Sequence, residues 1–79
     1  MSIVAMSRMA EGQTGLISRI KSGGEAAARM KEMGLAPGAE IEIVGRAPFN
    51  DPLIIKLRGQ NLILRNSEAS RILVDTLPA

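Results

Sequence analysis

Glycine and proline residues interrupt this sequence about every 8–12 residues, and that spacing limits the length of any regular element. Eight glycines and four prolines are spread over the 79 residues. The spacing is typical of several short strands that form a small sandwich or barrel. A chain of this length is expected to form one domain, so we predict a single domain over residues 1–79.

Alternation of apolar and charged residues locates the strands between these interruptions. Ile41 and Ile43 alternate with Glu40 and Glu42, which is the pattern of a strand with one buried face. Similar patterns predict about five strands, at residues 13–21, 39–44, 53–58, 61–65 and 72–74. Because only one helix separates any two of them, we predict a mainly β fold, a small SH3-like barrel with one α-helix after the first strand. A closed barrel would also leave no exposed strand edge.

The segment between the first two predicted strands contains the signals of one helix. Ser22 and Glu25 have the spacing of a capping box, which predicts Ser22 as the N-cap. Gly34 stands where a left-handed residue commonly ends a helix. The following Leu35 is expected to fold back on Met30, and Pro37 prevents the helix from continuing.

The third and fourth predicted strands are close enough in sequence to form a hairpin. Gly59 and Gln60 are expected to form a two-residue type II′ turn between them. The turn sets a register that buries two cross-strand pairs, Leu57 with Leu62 and Ile55 with Leu64.

Two further segments resemble single helical turns. Ser7–Gly12 is expected to form one such turn and to place Met9 in the core as a plug. Residues 66–70 are expected to form the other, before the last strand, with Asn66 or Ser67 as its cap.

The composition excludes several kinds of chemistry. The sequence has no cysteine, which rules out disulfides and thiolate metal sites. It has no histidine, the commonest general base and transition-metal ligand. No serine lies near a base in the sequence, and no pair of carboxylates flanks an apolar segment. We therefore predict a protein that is not an enzyme and that has no cofactor and no metal site.

Three weaker patterns have ordinary structural explanations. Glu40 and Glu42 share one strand face and could hold a hard cation, but the outward positions of an alternating strand explain them better. The glycine pair before the helix resembles an anion cradle, but it lacks the spacing of a P-loop and capping explains it better. The G-x-x-G string from Gly12 to Gly15 resembles a KH-domain loop, but it precedes a strand, where a bend explains it.

The charge balance is nearly even. Ten basic and eight acidic residues give a net charge of +2, and the basic residues form no run. This pattern predicts no attraction to nucleic acid or to an anionic membrane surface. The amino terminus lacks the features of a signal peptide, and no segment approaches the roughly 20 apolar residues that span a bilayer. We therefore expect a cytoplasmic protein without membrane insertion.

Surface residues remain as a means of contacting a protein partner. Ile54 and Ile63 are expected on the outer face of the hairpin, where exposed apolar side chains often mark an interaction site. Phe49 lies in a proline-framed loop, and an aromatic anchor on a restrained loop suits a binding hot spot. The candidate partner-binding residues are Pro48, Phe49, Asp51, Pro52, Ile54 and Ile63. The alternative is that Phe49 folds back over an open barrel end and belongs to the core.

Several short motifs occur in a fixed order over about residues 6–75. They are Gly12 with Gly15, Gly23-Gly24, Arg29–Gly38 (R-x-x-E-M-G-L-x-P-G), Ile41–Val44, Ala47–Leu53, Arg58-Gly59, Leu62–Arg65 and Glu68-Ala69. In this order and spacing the motifs resemble the FeoA family, small proteins that accompany the ferrous iron transporter FeoB.

The resemblance implies an SH3-like barrel and a cytosolic accessory protein that contacts the cytoplasmic GTPase region of FeoB and supports Fe(II) uptake. Similar domains also occur in DtxR-type metal regulators, so an SH3-like nucleic-acid-binding or metal-regulator module is the alternative. A weak homo-oligomer is left open. Because the chain offers only oxygen and thioether ligands, we expect that the protein itself does not hold iron.

Overall fold

The computed structural model describes residues 2–21, 23–48 and 51–77, which form a six-stranded antiparallel sheet with short helices. The strands are β1 Ser2–Ala5, β2 Thr14–Ile20, β3 Glu40–Arg46, β4 Leu53–Leu57, β5 Gln60–Leu64 and β6 Ile72–Thr76. The helices are a 3₁₀ helix at Met6–Arg8, α1 at Gly24–Glu32 and α2 at Asn66–Ala69. In space the strands follow the order β1-β6-β2-β3-β4-β5.

The mainly β architecture is confirmed, but the sheet is not a closed barrel. Among the described strands, β1 and β5 each have a hydrogen-bonded neighbour on one side only. The expectation that closure removes every edge is therefore wrong, because these two end strands do not pair with each other. Within residues 2–21, 23–48 and 51–77, β1 and β5 thus each have one edge that pairs with no other strand.

Strand β1 is an element that the sequence analysis missed. It is four residues long and is defined by its pairing with β6 near the other end of the chain, where Ile3 lies opposite Asp75 and Val4 opposite Val74. So short a segment has too few residues for its alternation to be recognised. With β1 included, α1 follows the second strand of the chain and not the first.

The hydrophobic core is built from alternate residues of the strands, as the sequence pattern predicts. Ile41 and Ile43 on β3 are buried, whereas Glu40 and Glu42 between and beside them are exposed. Met9 is 1% exposed, which confirms its predicted place in the core. Each such side chain contributes about 1.5–3 kcal/mol on burial. The other core residues are Met6, Ile17, Met30, Leu35, Leu53, Ile55, Leu57, Leu64, Ala69, Ile72 and Val74.

The carboxyl end of α1 has the predicted geometry. Gly34 adopts a left-handed conformation with φ of 92°. Its N–H donates to the carbonyl of Lys31, and the N–H of Leu35 donates to the carbonyl of Met30, both at 2.9 Å. These two bonds define a Schellman motif and satisfy carbonyls that the helix itself leaves without a partner.

The N-caps of both helices differ from the prediction. The N-cap of α1 is Gly23, because the backbone there is still extended (φ −113°, ψ −178°) and the helix begins one residue later; Ser22 lies outside the described residues. The N-cap of α2 is Arg65, whose backbone is also extended (φ −74°, ψ 152°). The predicted caps Asn66 and Ser67 lie inside α2.

The turn of the β4–β5 hairpin is displaced by one residue from the prediction. Arg58 and Gly59 form it, both with positive φ (53° and 81°), which is the pattern of a type I′ turn and not of type II′. The cross-strand pairs are consequently Leu57 with Gln60, Ile55 with Leu62 and Leu53 with Leu64. Because the strands shift by two residues relative to the predicted register, every side chain keeps its predicted face.

No helix within the described residues has the length and apolar character that a membrane-spanning segment needs.

Candidate protein-interaction site

The outer face of the β4–β5 hairpin carries an apolar pair. Ile54 and Ile63 lie directly opposite each other in the register of the two strands. Since neighbouring strand residues point to opposite faces, they lie on the side away from buried Ile55 and Leu64. Ile63 is 68% exposed, and Ile54 is half-buried. The structure thus places both residues where the sequence predicted them, on a solvent-facing surface.

The loop that precedes β4 ends at Pro52, two residues before Ile54. Within it, Pro48 and Asp51 are exposed and Pro52 is half-buried. The N–H of Ala47 donates to the carbonyl of Pro52 at 3.0 Å, which closes the base of the loop. Phe49 lies outside the described residues, so its predicted role as an anchor stays a prediction.

Asp51 has a structural partner that the sequence did not indicate. Its Oδ1 accepts a hydrogen bond from the backbone N–H of Asn66, the first residue of α2, with 3.0 Å between the two atoms. A carboxylate in this position satisfies one of the free N–H groups at the helix start and interacts favourably with the helix dipole. The loop is therefore fixed to α2 through Asp51.

Next to Ile63 the surface opens into a cavity of about 310 Å³. The residues that line it come from α1, from the loop before β4 and from β5 through α2; they are Arg29, Pro52, Ile63, Arg65 and Glu68. Two of the predicted partner-binding residues thus lie in one concave site. The other three lining residues were missed by the sequence analysis, because only tertiary packing brings α1 next to the β5–α2 junction.

Of the three charged side chains that line this cavity, only Glu68 forms a hydrogen bond within the described residues. The Oε1 atom of Glu68 accepts a hydrogen bond from the backbone N–H of Arg65 at 3.0 Å. Within the described part of the chain, neither Arg29 nor the side chain of Arg65 forms a hydrogen bond or an ion pair. As far as the described residues show, the cavity contains two guanidinium groups without a hydrogen-bond or ion-pair partner and one carboxylate, of which one oxygen accepts a hydrogen bond.

Arg46 contacts α2, which borders the cavity, and is a further residue that the sequence analysis missed. Its Nη2 donates to the carbonyl oxygens of Ser7 and Met9, at 2.7 Å each. Its Nη1 lies 3.4 Å from Oδ1 of Asn66. One half-buried guanidinium thus ties the end of β3 to the 3₁₀ helix and to α2.

The other charged positions form no metal centre in the described residues. Glu40 and Glu42 are exposed, and Glu42 lies opposite Lys56 in the β3–β4 register. Over residues 2–21, 23–48 and 51–77 no three acidic side chains are grouped so that they could hold a metal ion.

Comparison with known proteins gives one matching family model, the FeoA domain, over residues 4–76. A curated relative, the Fe(2+) transport protein A/Fe(2+) transporter FeoB fusion protein of Porphyromonas gingivalis, is 31% identical over 72 residues. The match covers 91% of this chain but only 8% of that protein, so the chain spans a small part of this relative.

Solved structures of similar proteins have the same fold. Iron(II) transport protein A from Clostridium thermocellum matches with a TM-score of 0.90 and 38% identity over 94% of this chain and 46% of that one. FeoA from Stenotrophomonas maltophilia in complex with zinc, a procaryotic SH3 domain protein, matches with a TM-score of 0.78 and 26% identity over 89% of this chain and 87% of that one. This similarity confirms the predicted SH3-like fold class.

Proposed function

Because this chain belongs to the FeoA domain family, we propose that it is a cytoplasmic accessory protein of a FeoB-type ferrous iron transporter and acts by protein–protein contact with the cytoplasmic region of the transporter. The observation that carries the proposal is the fusion protein of Porphyromonas gingivalis, in which one polypeptide joins Fe(2+) transport protein A to the Fe(2+) transporter FeoB. A covalent link keeps two modules at high effective concentration, which is useful when the modules bind each other.

We assign the contact to the outer face of the hairpin and to the loop beside it. Ile63 supplies exposed apolar area, and Ile54 extends this area onto the neighbouring strand. A few residues near the centre of a contact surface commonly carry most of the binding free energy. Within the described part of the loop, Asp51 and Pro52 are held by hydrogen bonds to Asn66 and Ala47, so these two residues lose little conformational entropy on binding.

In this proposal the chain contributes shape and contact and catalyses no reaction. It also holds no iron of its own, because its oxygen and thioether donors form a poor ligand set for Fe(II). Stoichiometric binding of Fe(II) at micromolar concentration, measured by anaerobic calorimetry on the isolated chain, would contradict this part of the proposal.

The test is a binding titration of the chain against the purified cytoplasmic region of the transporter. Phe49→Ala is expected to leave the melting temperature nearly unchanged and to weaken binding about tenfold or more, as for a hot-spot residue. If Phe49→Ala unfolds the chain, Phe49 belongs to the core and the contact rests on the isoleucine pair alone.

A second titration, with duplex DNA at several salt concentrations, tests the alternative function. Nucleic-acid binding depends steeply on salt, because phosphate contacts release counterions. Binding to duplex DNA that falls by orders of magnitude between low and moderate salt, together with no binding to the transporter region, would favour a nucleic-acid-binding module and overturn the proposal.

A further inference from the structure

We propose that the cavity beside Ile63 receives an acidic side chain of the partner, bound between Arg29 and Arg65, and that the partner presents it on an extended segment lying along β5. This inference rests on the proposed function, since it names the chemistry of the partner at the same surface. It adds two residues that the motif analysis did not assign to the contact.

The unpaired guanidinium groups are the first reason. Arg29 is exposed on the last turn of α1, and Arg65 is exposed where β5 meets α2. Both line one cavity, and neither has a hydrogen-bond or ion-pair partner within the described residues. A guanidinium binds a carboxylate through two parallel N–H···O bonds, a geometry that ammonium groups do not reproduce.

The cavity also has apolar walls on the side of the hairpin. Pro52 and Ile63 line it together with the two arginines. The carboxylate of Glu68 also lines the cavity, and its Oε1 accepts a hydrogen bond from the backbone N–H of Arg65. With two arginines and one carboxylate, the lining has a net positive charge. The site therefore suits an acidic residue that has an apolar neighbour, and its charge disfavours a basic segment.

The free edge of β5 indicates the form of the segment. Among the described strands β5 pairs with β4 only, so on its other side every second backbone N–H and C=O points away from the sheet. Such an edge accepts an extended partner strand, in which main-chain bonds give affinity and side-chain pockets give specificity. The cavity next to Ile63 would be one such pocket.

The first experiment needs no transporter. A ¹⁵N-labelled sample of the full chain is titrated with the acidic peptide acetyl-Ser-Glu-Val-Glu-Ile-Ser-amide and with its counterpart that has Gln for each Glu. We expect the largest amide shifts at Ile63 and Arg65, and binding at least fivefold tighter for the acidic peptide. Equal affinity for both peptides, or shifts centred on β1, would overturn the inference. So would inorganic phosphate binding as tightly as the acidic peptide, because the site would then be a general anion site.

Variants connect the site to the transporter. In the double variant Arg29→Gln with Arg65→Gln, the preference for the acidic peptide should disappear, and binding to the cytoplasmic region of the transporter should weaken at least tenfold. Arg19→Gln, an exposed position on β2, is the matched control and should change neither. A merely structural role for the arginines would lower the melting temperature of the double variant but leave both affinities unchanged.

The outcomes also separate this inference from the proposed function. If the transporter region binds the wild type and the double variant equally, the inference fails and the proposed function stands. If the acidic peptide binds in the predicted way but the transporter region does not bind at all, the proposed function fails and the site remains. Self-association that the double variant abolishes, seen by sedimentation, would show that a second copy of the chain is the occupant and would contradict the assignment.

Discussion

Asp51, in the loop before β4, caps α2 by accepting a hydrogen bond from the backbone N–H of Asn66 at 3.0 Å. The bond joins Asp51 to the helix that borders the cavity, so it connects two parts of the candidate site. Asp51 was assigned to partner binding from the sequence, and the structure gives it a positioning role as well.

Replacing Asp51 should therefore affect stability as well as binding. Asp51→Ala removes the acceptor for the Asn66 N–H and should lower the free energy of unfolding by about 0.5–2 kcal/mol, the usual range for a lost helix cap. Asp51→Asn keeps an acceptor oxygen and should lose less. Urea denaturation measures both variants, and equal losses would show that the hydrogen bond is not what stabilises the loop.

Gly34 is expected to be sensitive to any side chain. At its φ of 92°, a Cβ is strained by about 1–2 kcal/mol, and the Cδ2 atom of Leu57 would lie 3.2 Å from it. Gly34→Ala should lower stability by at least that amount, and Gly34→Asn by less, because Asn tolerates the left-handed region better. Thermal unfolding of the two variants tests this order; a Gly34→Ala variant as stable as the wild type would contradict the assigned helix end.

Gly15 is required for a different reason, the close approach of two strands. A Cβ on Gly15 would collide with the side chain of Val74 and lie 2.8 Å from the carbonyl oxygen of Asp75 on β6. Gly15→Ala should therefore cost about 1–3 kcal/mol, as other overpacked positions do. Gly45→Ala is the control, since the nearest atom to its Cβ would be 4.0 Å away. Similar losses in both variants would contradict the packing of β2 on β6.

Arg46 should be the most important charged residue for stability. Replacing it by Gln leaves the carbonyl groups of Ser7 and Met9 without their shared donor, and a hydrogen bond from a charged group contributes about 1.5–3 kcal/mol. We expect a loss of at least 2 kcal/mol in urea denaturation and an intermediate loss for Arg46→Lys, which keeps the charge but not the fork of donors. Arg19→Gln, at an exposed position, should stay within about 0.5 kcal/mol of the wild type.

Features encoded by neighbouring residues could be predicted from the sequence. The end of α1 needs only Gly34, Leu35 and Met30, and the buried face of β3 needs only Ile41 and Ile43. In both cases the residues that form the structure also carry its signal, so the prediction needed no knowledge of the rest of the fold.

The register of the β4–β5 hairpin could not be predicted from neighbouring residues in this way. A turn at Arg58-Gly59 and a turn at Gly59-Gln60 bury the same side chains, because the two registers differ by two residues. The pattern of apolar residues cannot separate them. The choice depends on the backbone conformation of Arg58, whose φ of 53° is rare for a residue with a side chain.

The candidate site was predictable only on its apolar side. The positions of Ile54 and Ile63 can be predicted from strand alternation. Arg29 and Arg65 line the same cavity only because tertiary packing brings α1 next to the end of β5. β1 was missed because its four residues are too few to show alternation and its partner β6 lies near the other end of the chain.

The most direct test of the account is calorimetric titration of the chain into the purified cytoplasmic region of the transporter, with Ile63→Ser compared against Leu16→Ser. Both residues are exposed leucine or isoleucine side chains on strands, but Leu16 lies on β2, away from the assigned surface. We predict that Ile63→Ser weakens binding at least tenfold and that Leu16→Ser leaves it unchanged. No binding by the wild type, or an equal loss in both variants, would contradict the claim that this protein acts through the outer face of its β4–β5 hairpin.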